Sequence, residues 1–159
     1  MKIVTDCAAD LTPAEVDDFG ISVAPLFINF PEGMVNALEM TPDEFYNRLE
    51  AMAPEIPSTS QPSGGLFAEL YHKLGDLKEE ILSIHISSGL SGTSNSAQLG
   101  ASQAKDVPVT VVDTLTLSGG ERFQVLAAAR AIKAGWSKEK LLAQLDKVRS
   151  QTETIYTLD

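Results

Sequence analysis

Apolar positions along the chain fall into two kinds of run. Short, dense runs predict strands at Lys2 to Thr5 (ending at Asp6), Ile21 to Asn29, Ile81 to Ile86, Val107 to Val112 and Thr154 to Leu158. Between them, apolar residues recur at helical spacing: Phe45, Leu49 and Met52; Leu66, Leu70 and Leu74; Phe123, Val125, Leu126 and Ile132; Leu141, Leu142, Leu145 and Val148. Thr12-Pro13-Ala14-Glu15 and Thr41-Pro42-Asp43-Glu44 each join a capping hydroxyl, a proline at the first helical position and a glutamate that completes a capping box. Ser63, Ser118 and Ser137 are candidate caps for later helices, and Gly20, Gly75, Gly135, Pro54 and Pro57 are stops. Pro25 marks an edge or a bulge in its run. Pro31 to Met40 reads as a loop or irregular hairpin, and Ser58 to Gly65 as a polar loop. Val107 to Val112 is apolar on both faces and predicts a central strand of a parallel sheet. Strands alternating with helices predict an α/β fold, mostly parallel sheet flanked by helices, as one domain over residues 1–159.

The stretch Ile81 to Leu99 is the organising one. An apolar strand runs into Ser87-Ser88-Gly89-Leu90-Ser91-Gly92-Thr93, and a small-residue helix follows. Such a turn offers backbone N–H groups, hydroxyls and the positive end of a helix to an anion, either a carboxylate or a phosphate. It also reads as a strand-to-helix loop whose serines cap the helix.

Charge and composition remove several alternatives. A net charge of −10 is the wrong sign for nucleic acid or an anionic membrane surface. No stretch approaches membrane-spanning length, and the apolar start is too short for a signal peptide, so a cytoplasmic location is expected. The single cysteine, Cys7, has no internal partner, and neither metal-ligand nor cofactor-binding spacing is present. Asp6 and Asp113, at strand ends, read as turn caps or as a carboxylate pair. His85 reads as a partly buried, hydrogen-bonded sheet residue. Gly89-Leu90-Ser91-Gly92-Thr93 approximates a nucleophile elbow but carries Thr at the second glycine position, and no histidine follows Ser91. A serine hydrolase built on Ser91 would need His85 in an unusual arrangement.

Thr59-Ser60-Gln61-Pro62-Ser63 and Ile84-His85-Ile86-Ser87-Ser88-Gly89-Leu90-Ser91-Gly92-Thr93 carry a more specific signal. Together with Ile3-Val4-Thr5-Asp6, Thr41-Pro42-Asp43-Glu44-Phe45-Tyr46 and Val111-Val112-Asp113, their order and spacing resemble the DegV family of bacterial fatty-acid-binding proteins. The resemblance implies a long-chain fatty acid whose carboxylate is held by Thr59 and Ser91, with Ser60, Gly92 and Thr93 as secondary site residues. It implies a lipid-binding protein rather than a catalyst, in some members a carrier subunit presenting the acid to a fatty acid kinase. Two departures stand out: Asp6-Cys7-Ala8-Ala9-Asp10 where the family has Asp-Ser-Thr-Ala-Asp, and Ala37-Leu38-Glu39 where it has Gly-Val-Asp. The family also has a second domain, and the chain stops about where that domain begins. It is expected to be the N-terminal half, whether a fragment, a short form with an open site or a truncated domain without a competent one.

Overall fold

The computed structural model describes residues 1–75 and 79–155. Its elements are β1 (Lys2–Asp6), α1 (Pro13–Phe19), β2 (Ser22–Ala24), β3 (Phe27–Phe30), β4 (Gly33–Asn36), α2 (Pro42–Ala51), β5 (Ser58–Ser60), α3 (Gly64–Gly75), β6 (Ile81–His85), α4 (Thr93–Gln103), β7 (Val109–Asp113), α5 (Ser118–Lys133) and α6 (Lys138–Gln151). A parallel sheet has the order β2-β1-β6-β7. A smaller antiparallel sheet, β4-β3-β5, is inserted between β2 and α3.

Strand β6 is buried along its whole length because both faces are covered. Leu82 and Ile84 face one core, with Val125 and Ala128 of α5 and Leu141 and Leu145 of α6. Ile81 faces the other, with Phe67 and Tyr71 of α3 and Ala97 of α4. This period-2 division is what an α/β layer requires. Both capping boxes form, Thr12 with Glu15 and Thr41 with Glu44, and Gly20 ends α1 at φ 60°. Ser63 and Ser137 cap α3 and α6 as expected.

Five expectations are corrected. The run at Val107 to Val112 leads into β7, which lies at the edge of the described sheet and is half-buried rather than central: Val112 packs against one core and Val109 and Val111 against the other, but only β6 pairs with it. Ser58 to Ser60 is strand β5, not loop; its residues alternate polar with polar and give no periodic signal. The Ile21 to Asn29 run divides at Pro25-Leu26 into strands of two different sheets. Ser118 does not cap α5: Leu117 is the N-cap, and the Ser118 hydroxyl donates to Asp10 Oδ2 at 2.5 Å. Of the expected last strand, Thr154 and Ile155 are not in a strand, and residues 156–158 lie outside the described residues.

Candidate functional site

The turn after β6 is built mostly from its own backbone. Ser87 N–H donates to Thr116 O (2.8 Å), Ser88 N–H to Asp113 Oδ1 (3.2 Å) and Gly89 N–H to Ser87 Oγ (3.2 Å). Leu90 N–H and Ser91 N–H both donate to Ser87 O at 3.0 Å. The sequence left these donors open for an anion; the folded turn consumes them. What stays open is the start of α4. Its N-cap is Gly92, which has no side chain to cap with, and Ser91 Oγ accepts from Thr93 N–H (3.3 Å). The N–H groups of Gly92, Ser94 and Asn95 have no hydrogen-bond partner among the described residues. Unsatisfied first-turn N–H groups with the helix dipole behind them attract a carboxylate.

Ser91 is half-buried, and its hydroxyl is hydrogen-bonded to the fully buried Thr93 hydroxyl at 2.9 Å. Thr93 therefore holds the Ser91 hydroxyl from a fully buried position.

Beneath the turn runs a sealed polar chain. Asp6 Oδ2 is 3.0 Å from His85 Nδ1 and accepts Ile86 N–H at 3.1 Å, while Oδ1 accepts Ala8 N–H at 3.0 Å. His85 Nε2 is 2.6 Å from Ser83 Oγ, which is 2.8 Å from Tyr71 Oη. Asp6, Ser83, His85 and Tyr71 are all 0% exposed. Burial pushes the Tyr71 hydroxyl up to about 12, so it remains protonated. The order Asp, His, Ser resembles a catalytic relay, but no substrate reaches it. Both ring nitrogens of His85 are engaged in this chain, so His85 is fully rather than partly buried. His72 Nε2 is held at 3.0 Å by Asp106 Oδ1. Neither histidine touches Ser91, so the relay that a hydrolase on Ser91 requires is not formed. Asp6 and Asp113 act as turn acceptors, as one of the sequence readings has it.

Thr59 is exposed in the middle of β5. It pairs with Ile28, which pairs in turn with Val35, and cross-strand partners share a face. The hydroxyl thus ends a row of half-buried apolar side chains. Ser60 points to the other face, toward Asn29 Oδ1 (3.5 Å). The structure therefore separates Ser60 from Thr59. Gln61 follows β5 and precedes Pro62, and it is exposed. Its side-chain amide lies against the turn: a Cβ placed on Gly92 would sit 2.7 Å from Gln61 Nε2. The two motif stretches meet at this contact. Sequence reasoning assigned no role to Gln61, whose side chain makes this contact.

A cavity of about 360 Å³ flanks the turn beside Ser87, Leu90, Thr114 and Arg149, and one of about 480 Å³ lies beside Cys7, Asp10, Val23 and Leu38. Thr59 and Ser91 line neither. Among the described residues no group of acidic, histidine or cysteine side chains is arranged to hold a metal ion.

Residues 1–159 match the family model described as "Uncharacterised protein, DegV family". The chain belongs to the DegV family. It is 39% identical over 161 residues to a DegV domain-containing protein of Deinococcus radiodurans, covering 100% of this chain and 56% of that protein. A second DegV domain-containing protein, from Lactococcus lactis, is 35% identical over 153 residues, 96% of this chain and 54% of its own length. Among solved structures, a Thermus thermophilus DegV family protein described as fatty acid binding superposes with TM-score 0.85 and 37% identity over 94% of this chain and 53% of that one. DegV of Bacillus subtilis, described as a fatty acid binding protein, gives TM-score 0.86 and 32% identity over 94% of this chain and 53% of that one. The chain thus spans about half the length of the DegV relatives it matches. At the departure from the family pattern after β1, Cys7 Sγ accepts Leu26 N–H at 3.3 Å, and burial pushes its thiol up. No helix among the described residues is long and apolar enough to cross a membrane.

Proposed function

We propose that this DegV-family chain binds a long-chain fatty acid by its carboxylate, held by the hydroxyls of Thr59 and Ser91 and by the N–H groups at Gly92. The observation that carries the reading is the meeting of the two motif stretches at an open helix start, with Gln61 packed on Gly92. The two DegV structures described as fatty acid binding, at 37% and 32% identity, support it. A carboxylate leaving water needs several donors, and hydroxyls with first-turn N–H groups are charge-assisted donors that leave no fixed countercharge. Burial of the acyl chain contributes about 0.8 kcal/mol per CH₂ and dominates affinity. The hydroxyls set orientation. Thr93 positions Ser91, and Ser60 has no role at the carboxylate.

In this reading the chain is a single domain and the carboxylate-holding, non-catalytic half of a cytoplasmic bacterial carrier. A partner fatty acid kinase performs phosphoryl transfer on the presented acid.

Native mass spectrometry of the purified chain, followed by organic extraction, tests this. A fatty acid at one per chain is expected, with affinity weakened about tenfold or more in Thr59→Val and in Ser91→Ala by loss of a charge-assisted hydrogen bond. Equal lipid retention by the double variant would overturn the site. Ester turnover abolished by Ser91→Ala would overturn the function.

A further inference from the structure

Tyr71, Ser83, His85 and Asp6 form a fully buried chain that the carboxylate reading does not use. Each proton in it has one place. Asp6 accepts the Ala8 N–H on Oδ1 (3.0 Å) and the Ile86 N–H on Oδ2 (3.1 Å), and a backbone N–H can only donate. His85 Nδ1 lies 3.0 Å from the same Oδ2. With Asp6 accepting throughout, Nδ1 carries the proton. At the other end, the single proton of the Tyr71 hydroxyl has two acceptors in reach, Ser83 Oγ at 2.8 Å and the Ala97 carbonyl at 3.5 Å, and the shorter bond takes it. Ser83 accepts that proton and gives its own to His85 Nε2 at 2.6 Å, so Nε2 is bare. The chain therefore runs in one direction, from Tyr71 through Ser83 and His85 to Asp6, with every member satisfied. The edge-on ring of Phe67, 5.0 Å away between centroids at 75°, packs the imidazole in place.

We propose that His85, in its Nδ1–H tautomer, is a positioning residue: it holds the Asp6 carboxylate against the Ile86 N–H and so sets the turn that carries Ser91. This rests on the fatty-acid reading above and deepens it. His85 meets no ligand and acts through Asp6 and the backbone. Ile86 is the residue at which β6 gives way to the turn, and the carbonyl of the next residue, Ser87, accepts the N–H groups of Leu90 and Ser91 at 3.0 Å. Among the described residues, His85 Nδ1 is the only side-chain donor to Asp6. Without it a buried carboxylate keeps two backbone donors and loses the partner that fixes Oδ2, so it moves to find another. A binding group is only as well placed as the buried hydrogen bonds behind it.

The test has two arms. The first is nitrogen-15 NMR of the wild-type chain labelled at histidine, with the His85 signals assigned by their loss in His85→Asn. A protonated Nδ1 and a bare Nε2 are expected; a proton on Nε2, alone or with one on Nδ1, overturns the inference whether or not any variant folds. The second arm measures the dissociation constant for palmitate in wild type, His85→Asn and His85→Gln. The amide nitrogen of asparagine stands as many bonds from Cα as Nδ1 does, and that of glutamine as many as Nε2. His85→Asn therefore keeps a donor for Asp6 and is expected to bind palmitate close to wild type, even if its urea midpoint falls because the side chain is smaller. His85→Gln removes that donor and is expected to weaken palmitate about tenfold. A space-filling role gives the opposite order, since glutamine is nearer to histidine in volume. That order, or equal affinities in the two variants, would overturn the inference and leave the fatty-acid reading standing. Palmitate binding absent in wild type, or unaffected by Ser91→Ala, would overturn that reading and this inference with it.

Discussion

Glu121 lies on α5 with none of its side chain exposed, one oxygen accepting the Thr5 hydroxyl at 3.3 Å and the other without a partner. Burial, with Asp6 nearby, pushes its carboxyl from 4.5 up to about 10. The folded chain therefore holds a proton that the unfolded chain releases above 4.5, and stability falls as pH rises between the two values. The slope is at most about 1.4 kcal/mol per pH unit from this group. Urea unfolding of the wild type is expected to shift to lower midpoints from about pH 5 to about pH 9. Glu121→Gln keeps the shape and cannot ionise, so its midpoint should hold level over that range and exceed the wild type at the alkaline end. A parallel decline in the variant would place the pH dependence elsewhere. Interactions this local divide sharply in how far the sequence discloses them. Thr12 with Glu15 and Thr41 with Glu44 are three positions apart and were legible as capping boxes. Asp6 with His85, and Thr5 with Glu121, join residues 79 and 116 positions apart, and no local pattern announces such a pair.

At the scale of elements, α3 packs closely on α4, and glycine makes the approach possible. A Cβ on Gly100 of α4 would sit 2.5 Å from Phe67 Cβ and 2.9 Å from the Gly64 carbonyl oxygen of α3. Neither atom lies at the end of a flexible side chain, so the helices themselves would have to separate. Alanine is the better helix former by about 1 kcal/mol, but forcing a methyl into a closed contact costs about 1–3 kcal/mol. Gly100→Ala is accordingly expected to be net destabilising by about 1–2 kcal/mol in chemical denaturation. Gly65→Ala provides the comparison, because the nearest atom there is Ser63 Oγ at 3.7 Å, and it is expected to be neutral or stabilising. A stabilised Gly100→Ala would mean that the helices yield easily at this contact. The contact matters for the candidate site because α3 follows the Gln61 stretch and α4 follows Ser91, so α3-on-α4 packing sets their separation. Helices and caps were legible in the sequence because their signals are periodic or adjacent. Strand β5 was not, since Ser58-Thr59-Ser60 carries neither alternation nor apolar residues. The edge position of β7 was not either, since an apolar run reports burial on its flanks and says nothing about how many neighbours the strand has.

At the scale of the whole molecule, several of the exposed apolar side chains among the described residues gather around one position. Leu90 (53% exposed), Leu115 (61%), Phe123 (60%) and Ile155 (88%) stand out around Leu117, which lines both the 360 Å³ cavity beside Leu90 and a neighbouring one of about 400 Å³ beside Phe123 and Ile155. Leu115 is held there at φ 55°, a left-handed conformation that costs a leucine about 1–2 kcal/mol. A contiguous apolar patch on a soluble chain drives association unless something opposes it, and a net charge of −10 does so through mutual repulsion between copies. The two effects respond differently to salt. Raising ionic strength to about 0.5 M shortens the screening length to a few ångströms and removes most of the repulsion, while apolar attraction persists or strengthens. Sedimentation velocity of this chain should therefore show a mass near 17.0 kDa in low salt and a higher weight-average mass in high salt. Leu115→Asn combined with Phe123→Ser should stay near the monomer mass in both. Asparagine tolerates the left-handed conformation, so the double variant should also fold at least as stably as wild type. A mass that rises with salt equally in both proteins would locate the association on another surface, and a mass that falls with salt would show that charge pairs, rather than this patch, join the copies.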